Sequence, residues 1–157
     1  MSEDRSIVII GAGHAGVQLA ASLREEGFDG RVTLLSDDPR PPYQRPPLSK
    51  AFMKREADAD ALILRGPSFY EQKRVDLRLG VVAGAIDRAR RSVTLPSGER
   101  LAYLRLALAT GGTARPFRVP GANLAGVHVL RDMGDAEALR ARLETARSVV
   151  VIGAGFI

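Results

Sequence analysis

An α/β fold, with a parallel central sheet and a small antiparallel β-meander, is what this sequence predicts. Three observations carry that expectation. The aliphatic run Ile7-Val8-Ile9-Ile10 leads straight into a glycine-rich turn and then into apolar residues at helical spacing. The same start recurs late in the chain: residues 149–157 read VVVIGAGFI against IVIIGAGHA at 7–15, identical at five of nine positions. Between the two copies, short alternating stretches surround Pro96-Ser97-Gly98.

Each element follows from a local cause. A four-residue aliphatic run fits a strand buried on both faces of a parallel sheet. Val17, Leu19, Ala20, Ala21 and Leu23 supply the apolar face of a helix, with Gly27 as its stop. Residues 31–35, Arg-Val-Thr-Leu-Leu, form the next strand and complete a βαβ unit over 6–35, expected to cross over right-handed. Residues 36–47 carry Pro39, Pro41, Pro42, Pro46 and Pro47 and read as loop, because proline fixes φ and donates no ladder hydrogen bond. Short helices are expected over 48–55 and 68–73, the second with Phe69 and Tyr70 facing inward. From 76 to 109 the expectation is short strands at Val81-Val82, Ala85-Ile86, 93–95 and Leu101, a hairpin turn at 96–98, and a buried strand over 104–109. Residues 113–126 read as loop, 127–130 as a short strand, 132–147 as a helix with Ala136, Leu139 and Leu143 on one face, and 148–152 as a further strand.

Composition narrows the chemistry. Of 157 residues, 45% are hydrophobic and 26% charged, a globular balance with enough chain for one core. The polar start Met1-Ser2-Glu3-Asp4-Arg5 is unlike a secretory signal, and the apolar runs are strand-sized, so the sequence reads as cytoplasmic with no membrane partner. There is no cysteine, which excludes disulfides, thiolate zinc sites and iron–sulfur ligation within this chain. Only His14 and His128 are present, so no metal site is expected, and redox chemistry here would need an organic cofactor. The net charge of +5 suits an anionic partner. The scattered groups Arg88, Arg90, Arg91 and Arg140, Arg142 read as solvated charge instead.

The turn Gly11-x-Gly13-x-x-Gly16 lies between strand and helix, the context in which such glycines bind a dinucleotide. Gly11 permits the turn, Gly13 lets backbone approach a pyrophosphate, and Gly16 lets helix pack on strand. The helix start, His14 and Ala15 included, offers N–H groups and a partial positive charge to the phosphates; His14 reads as a helix-start residue and not as a catalyst. A ribose-binding acid is expected at the end of the second strand. Asp37 is the candidate; Ser36 occupies the usual position, and Asp38, before Pro39, reads as a turn residue. The second copy supplies Gly153 and Gly155, and its third glycine would fall at 158, so the chain is expected to be a piece of a longer protein with two cofactors.

Tyr43-Gln44-Arg45-Pro46-Pro47-Leu48-Ser49-Lys50 resembles the signature of the ferredoxin reductase family that includes the putidaredoxin, rhodocoxin and biphenyl-dioxygenase reductases. Ala109-Thr110-Gly111 matches that family's second signature, and 132–143 resembles the helix leading into its NAD domain. The resemblance implies a Rossmann-like FAD-binding fold of glutathione-reductase type without the redox disulfide. Residues 1–112 would be the first half of a split FAD domain, and 113–157 the connection and first helix and strand of an NAD(P)-binding domain. FAD would bind the first copy and NAD(P)H the second. Arg45 would approach the FAD phosphates, Lys50 would sit by the flavin ring as the catalytic charge, and Val82 would meet the adenine through its backbone. Ala109, Thr110, Gly111 and Arg131 would lie close to the cofactor. Leu104, after Tyr103, and Gln44 depart from the family, which commonly has aspartate at both. The implied activity is electron transfer from NAD(P)H through FAD to a ferredoxin serving an oxygenase. The alternative is an apoptosis-inducing-factor-like flavoprotein with a nucleic-acid or signalling role, for which a basic surface would hold phosphates.

Overall fold

A computed structural model describes residues 5–153, and Gly155 of the second copy lies outside them. The chain divides into two compact units, Met1–Tyr43 with Ile63–Gly111, and Gln44–Leu62 with Gly112–Ile157.

The first unit is built on a four-stranded sheet in the order β3-β2-β1-β7, parallel throughout. Strand β1 (Ser6–Ile10) is buried at every position, as its unbroken aliphatic run requires with neighbours on both edges. It pairs with β2 (Arg31–Leu35) in the register Ile7 to Val32, and with β7 (Arg105–Leu108) in the register Ile7 to Arg105. Between β1 and β2 runs α1 (His14–Glu25), which buries Gly16, Val17, Ala20 and Ala21. Two residues past its end, Gly27 has a φ of +79°, as expected of a stop.

The edge strand β3 (Val75–Arg78) pairs with β2 through Val32 and Val75. Sequence patterning overlooked it, because Val-Asp-Leu-Arg is only four residues long, the shortest alternating run that reads as a strand. It follows α2 (Pro67–Gln72), where Pro67 sits in the first turn and Tyr70 is buried. Val17, Ala20, Val32, Leu34, Tyr70 and Val75 pack with Ile7 and Ile9 in one cluster, and Val8, Ile10 and Leu35 pack with Val93, Leu95 and Leu101 in another. The second cluster seats the meander β4 (Ile86–Asp87), β5 (Ser92–Thr94) and β6 (Arg100–Ala102), whose strands are antiparallel. The turn at 96–98 closes where the N–H of Gly98 donates to the carbonyl of Leu95 at 2.9 Å. Arg78 ties β3 to the meander through Glu99 at 2.8 and 2.9 Å and to Asp76 at 3.0 Å, and the bond to Glu99 raises its pKa.

Arg24 is a tie that no sequence pattern announces. Its guanidinium donates to the carbonyls of Lys73 at 2.7 Å, Phe28 at 2.5 Å, Gly30 at 2.8 Å and Arg74 at 2.8 Å. One side chain thereby fixes both the α1–β2 and the α2–β3 connections. Desolvation, followed by the nearby charge of Arg74, lowers its pKa.

In the second unit, α3 (Met133–Leu143) buries Met133 and Ala136, while Leu143 is exposed, so the expected apolar face shifts toward the start of the helix. Four sequence expectations are corrected. Residues 48–55 are not a regular helix: Pro46–Ser49 form a tight 3-10 turn that ends where Lys50 leaves the helical region at φ −123° and ψ −107°, and Arg55 is left-handed at φ +63°. Val81-Val82 forms no strand, although the N–H of Val81 donates to the carbonyl of Ser36. Residues 127–130 and 148–152 form no strand, and Val127, Val129 and Val149 to Ile152 are exposed. The physical reason is shared: a strand exists by its ladder, and no described strand lies beside these runs. Among the described residues no helix is long and apolar enough to cross a membrane.

Two stability predictions follow from the first unit. Arg24→Ala leaves four carbonyls without their donor and is expected to cost about 2 kcal/mol, read as a lowered urea midpoint, with Arg24→Lys recovering little because one ammonium cannot span both loops. The buried Tyr70 hydroxyl has no hydrogen-bond partner, and burial pushes its pKa up from 10.0 to about 12. The folded state therefore holds this proton more tightly than the unfolded state, and its contribution is complete below pH 10 and lost as pH rises toward 12. Urea midpoints across that range should fall less in Tyr70→Phe, which is also expected to be no less stable at neutral pH.

Candidate functional site

The first unit gathers its predicted residues at the carboxyl ends of β1, β2 and β7. Gly11 has a φ of +105°, and a Cβ there would lie 2.3 Å from the carbonyl oxygen of Ala109. Its N–H donates to Leu35 at 2.9 Å, and the N–H of Ala109 donates to Ile10 at 2.7 Å. The turn is thus gripped between the ends of β2 and β7. At Gly16 a Cβ would lie 1.9 Å from the carbonyl oxygen of Gly11, so the helix rests directly on the turn.

Gly13 differs from both. Its φ of −76° suits any residue, and a Cβ would meet nothing within 4 Å. Packing among the described residues makes no demand for glycine there. Around it, α1 has no side-chain cap and no acidic residue in its first turn, and His14 and Ala15 are exposed. Bare N–H groups at the positive end of the helix dipole, with no Cβ above them, fit an anionic pyrophosphate.

At the end of β2, Ser36 is buried, its N–H donating to Arg78 at 2.9 Å and its carbonyl accepting from Val81 at 2.7 Å. Asp38 is consumed by the loop: it accepts from the hydroxyl of Tyr43 at 3.0 Å and the N–H of Arg40 at 3.0 Å. Asp37 is exposed and, among the described residues, has no internal partner. Val82 is 56% exposed, beyond the point where Val81 is pinned to Ser36. Thr110 and Gly111 follow Ala109 at the surface, Gly111 with a φ of +69°.

The second unit holds Arg45, Lys50 and Arg131. Lys50 ends the Pro46–Ser49 turn with its side chain exposed; its N–H donates to Pro47 at 2.9 Å and its carbonyl accepts from Lys54 at 3.0 Å. Arg45 donates to the carbonyl of Arg131 at 3.2 Å, which brings together two arginines far apart in sequence. The turn is also braced against α3 by the Arg140 guanidinium 4.4 Å over the Phe52 ring and by the ion pair of Arg55 with Glu144. Gly153 is described at the end of the exposed 149–152 run, with a φ of +123°.

Two carboxylates were missed from sequence. Asp132 and Asp135 cap α3 reciprocally: Asp132 accepts from the N–H of Asp135 at 2.9 Å, and Asp135 accepts from the N–H groups of Arg131 at 2.8 Å and Asp132 at 3.3 Å. The Asp-x-x-Asp spacing at the helix start was the available signal.

The sequence family described as pyridine nucleotide-disulphide oxidoreductase matches residues 5–157. Rhodocoxin reductase of Rhodococcus erythropolis is 48% identical over 152 residues, covering 97% of this chain and 36% of its own length. Rubredoxin-NAD(+) reductase of Pseudomonas putida is 45% identical over 152 residues, covering 97% and 40%. The crystal structure of the ferredoxin reductase for the CYP199A2 system from Rhodopseudomonas palustris matches with a TM-score of 0.85 at 41% identity, over 89% of this chain and 34% of that one. The chain therefore spans well under half the length of the relatives it matches.

Packing constrains Gly16 and leaves Gly13 open. Gly16→Ala is expected to destabilise by more than about 3 kcal/mol, since backbone must move, whereas Gly13→Ala should stay within about 1 kcal/mol of the parent. Thermal melts without added cofactor check both.

Proposed function

The chain belongs to the pyridine nucleotide-disulphide oxidoreductase family, and from that membership we propose that it is the FAD-binding part of an NAD(P)H-dependent ferredoxin reductase. A protein carrying this chain with the remaining length of its relatives would pass electrons from NAD(P)H through FAD to a ferredoxin-type carrier serving an oxygenase. The single observation that supports this best is Gly13, a glycine that internal packing does not require, over an uncapped helix start. The matched relatives are named for rhodocoxin, for rubredoxin with NAD(+), and for ferredoxin, which supports a nicotinamide donor and a small redox protein as acceptor.

Bound here, FAD would supply two-electron exchange with the nicotinamide and one-electron delivery to the carrier. The chain's own part is positioning and charge. Gly11, Gly13 and Gly16, with the N–H groups of His14 and Ala15, would receive the pyrophosphate. Asp37, beside Ser36, would hold the ribose, and the Val82 backbone would meet the adenine. Ala109, Thr110 and Gly111 would line the approach. Arg45 would face the phosphates with Arg131 near the cofactor. Lys50 would hold a fixed positive charge where negative charge develops during transfer. Residues 1–112 would be the first half of the FAD domain. Residues 113–157 would open the NAD(P) domain, with Gly153 and Gly155 receiving the second dinucleotide.

The test uses a protein of the relatives' full length, titrated with FAD and followed by flavin absorbance and fluorescence. Saturable binding that is lost in Gly13→Trp is the expected result. Lys50→Met should keep FAD yet slow NADH-driven reduction of the flavin about 100-fold. A full-length protein that takes up no FAD sinks the proposal.

A further inference from the structure

Asp135 stands at the centre of a relay that ends on two arginines. Its carboxylate accepts from the N–H of Arg131 at 2.8 Å and from the N–H of Asp132 at 3.3 Å, so it grips the backbone on both sides of the Arg131 Cα. The carbonyl of that same Arg131 accepts from Arg45 at 3.2 Å. The Arg131 side chain is held with its Nε buried and without a hydrogen-bond partner. Within the second unit the Arg45 guanidinium is thus anchored on the backbone of the residue that carries the Arg131 side chain. Two arginines joined through one backbone, one of them with a buried donor unused, suit an anion.

The reciprocal cap already satisfies the start of α3, and Asp132 alone supplies its acceptor to the N–H of Asp135. The carboxylate of Asp135 reaches back past Asp132, whose N–H lies at 3.3 Å, to the closer N–H of Arg131. Helix capping requires only the bond to Asp132. The shorter bond is made to the residue that carries the arginine.

We propose that Asp135 is a positioning residue for FAD: through the Arg131 backbone it sets Arg131 and Arg45 for the cofactor's anionic groups. This rests on the flavin-binding reading above. Asp135 touches no cofactor itself, and its effect must therefore pass through Arg131.

The experiment compares Asp135→Ala, Asp135→Asn, Asp132→Ala, Arg131→Ala and the double variant Arg131→Ala with Asp135→Ala. All are made in the full-length protein, with FAD affinity from flavin fluorescence and melting temperatures of the flavin-free forms. Asp135→Ala is expected to raise the Kd for FAD about tenfold, the scale of one lost hydrogen bond to a charged group. Asp135→Asn keeps a side-chain acceptor and should recover most of the affinity. Asp132→Ala should lower the melting temperature while leaving the Kd within about twofold, as loss of a cap alone does. The double variant should bind no more weakly than Arg131→Ala, since the two substitutions break one relay. Equal Kd values for Asp135→Ala and Asp132→Ala, or effects of Asp135 and Arg131 that multiply, overturn the positioning role while the flavin reading stands. A parent protein that binds no FAD overturns both.

Discussion

The close approach of three backbone segments at the end of β1 is the constraint on which the first unit depends. The carbonyl of Ala109 sits where a Cβ of residue 11 would be, and the carbonyl of Gly11 sits where a Cβ of residue 16 would be. Removing two side chains lets β7, the turn and α1 come within van der Waals range, and hydrogen bonds from Gly11 to Leu35 and from Ala109 to Ile10 lock that arrangement. The sheet order, the direction of α1 and the exposure of its first turn all follow from it. What this contact makes is a rigid rim of backbone with one bare position, Gly13, and rigidity of that kind is what orients a ligand without reorganisation.

The second unit reaches order by other means. Its turn is shaped by Pro46 and Pro47, which preset φ, and its side chains are tied by bonds that reach across sequence: Arg45 to Arg131, Arg140 to Phe52, Arg55 to Glu144. Leu48, Phe52, Met133 and Ala136 are buried there, a small core that supports a large share of arginine. Arg140, which the sequence assigned to a solvated run, is placed over an aromatic ring, while its neighbour in that run, Arg142, is exposed.

The sequence revealed elements whose cause is local. The run 7–10 is continuous because β1 has neighbours on both edges, and Gly27 marks the end of α1 through its own positive φ. It revealed the three glycines as a motif, though not that two serve packing and one does not, a division that only distances disclose. It missed β3, because Val75-Asp76-Leu77-Arg78 alternates over only four residues, the shortest run that reads as a strand. It expected strands at 127–130 and 148–152 from composition, where no described strand offers a ladder. Arg24 was invisible because its partners are carbonyls, which every residue has; the Asp-x-x-Asp spacing did mark the cap of α3, though not the bond from the N–H of Arg131 to Asp135. Apolar content could not separate Leu143, exposed near the end of α3, from Ala136 at its buried face.

Arg24 directs its donors to carbonyl oxygens and not to carboxylates. Carbonyls do not titrate, and a hydrogen bond at contact distance is little weakened by dissolved ions. The tie between the two loop connections should consequently persist in acid or brine that would loosen Arg5 from Asp29, an exposed ion pair on the same unit. In ecological terms, the scaffold that carries the glycine turn is buffered against changes in acidity and salt that its surface charges would feel.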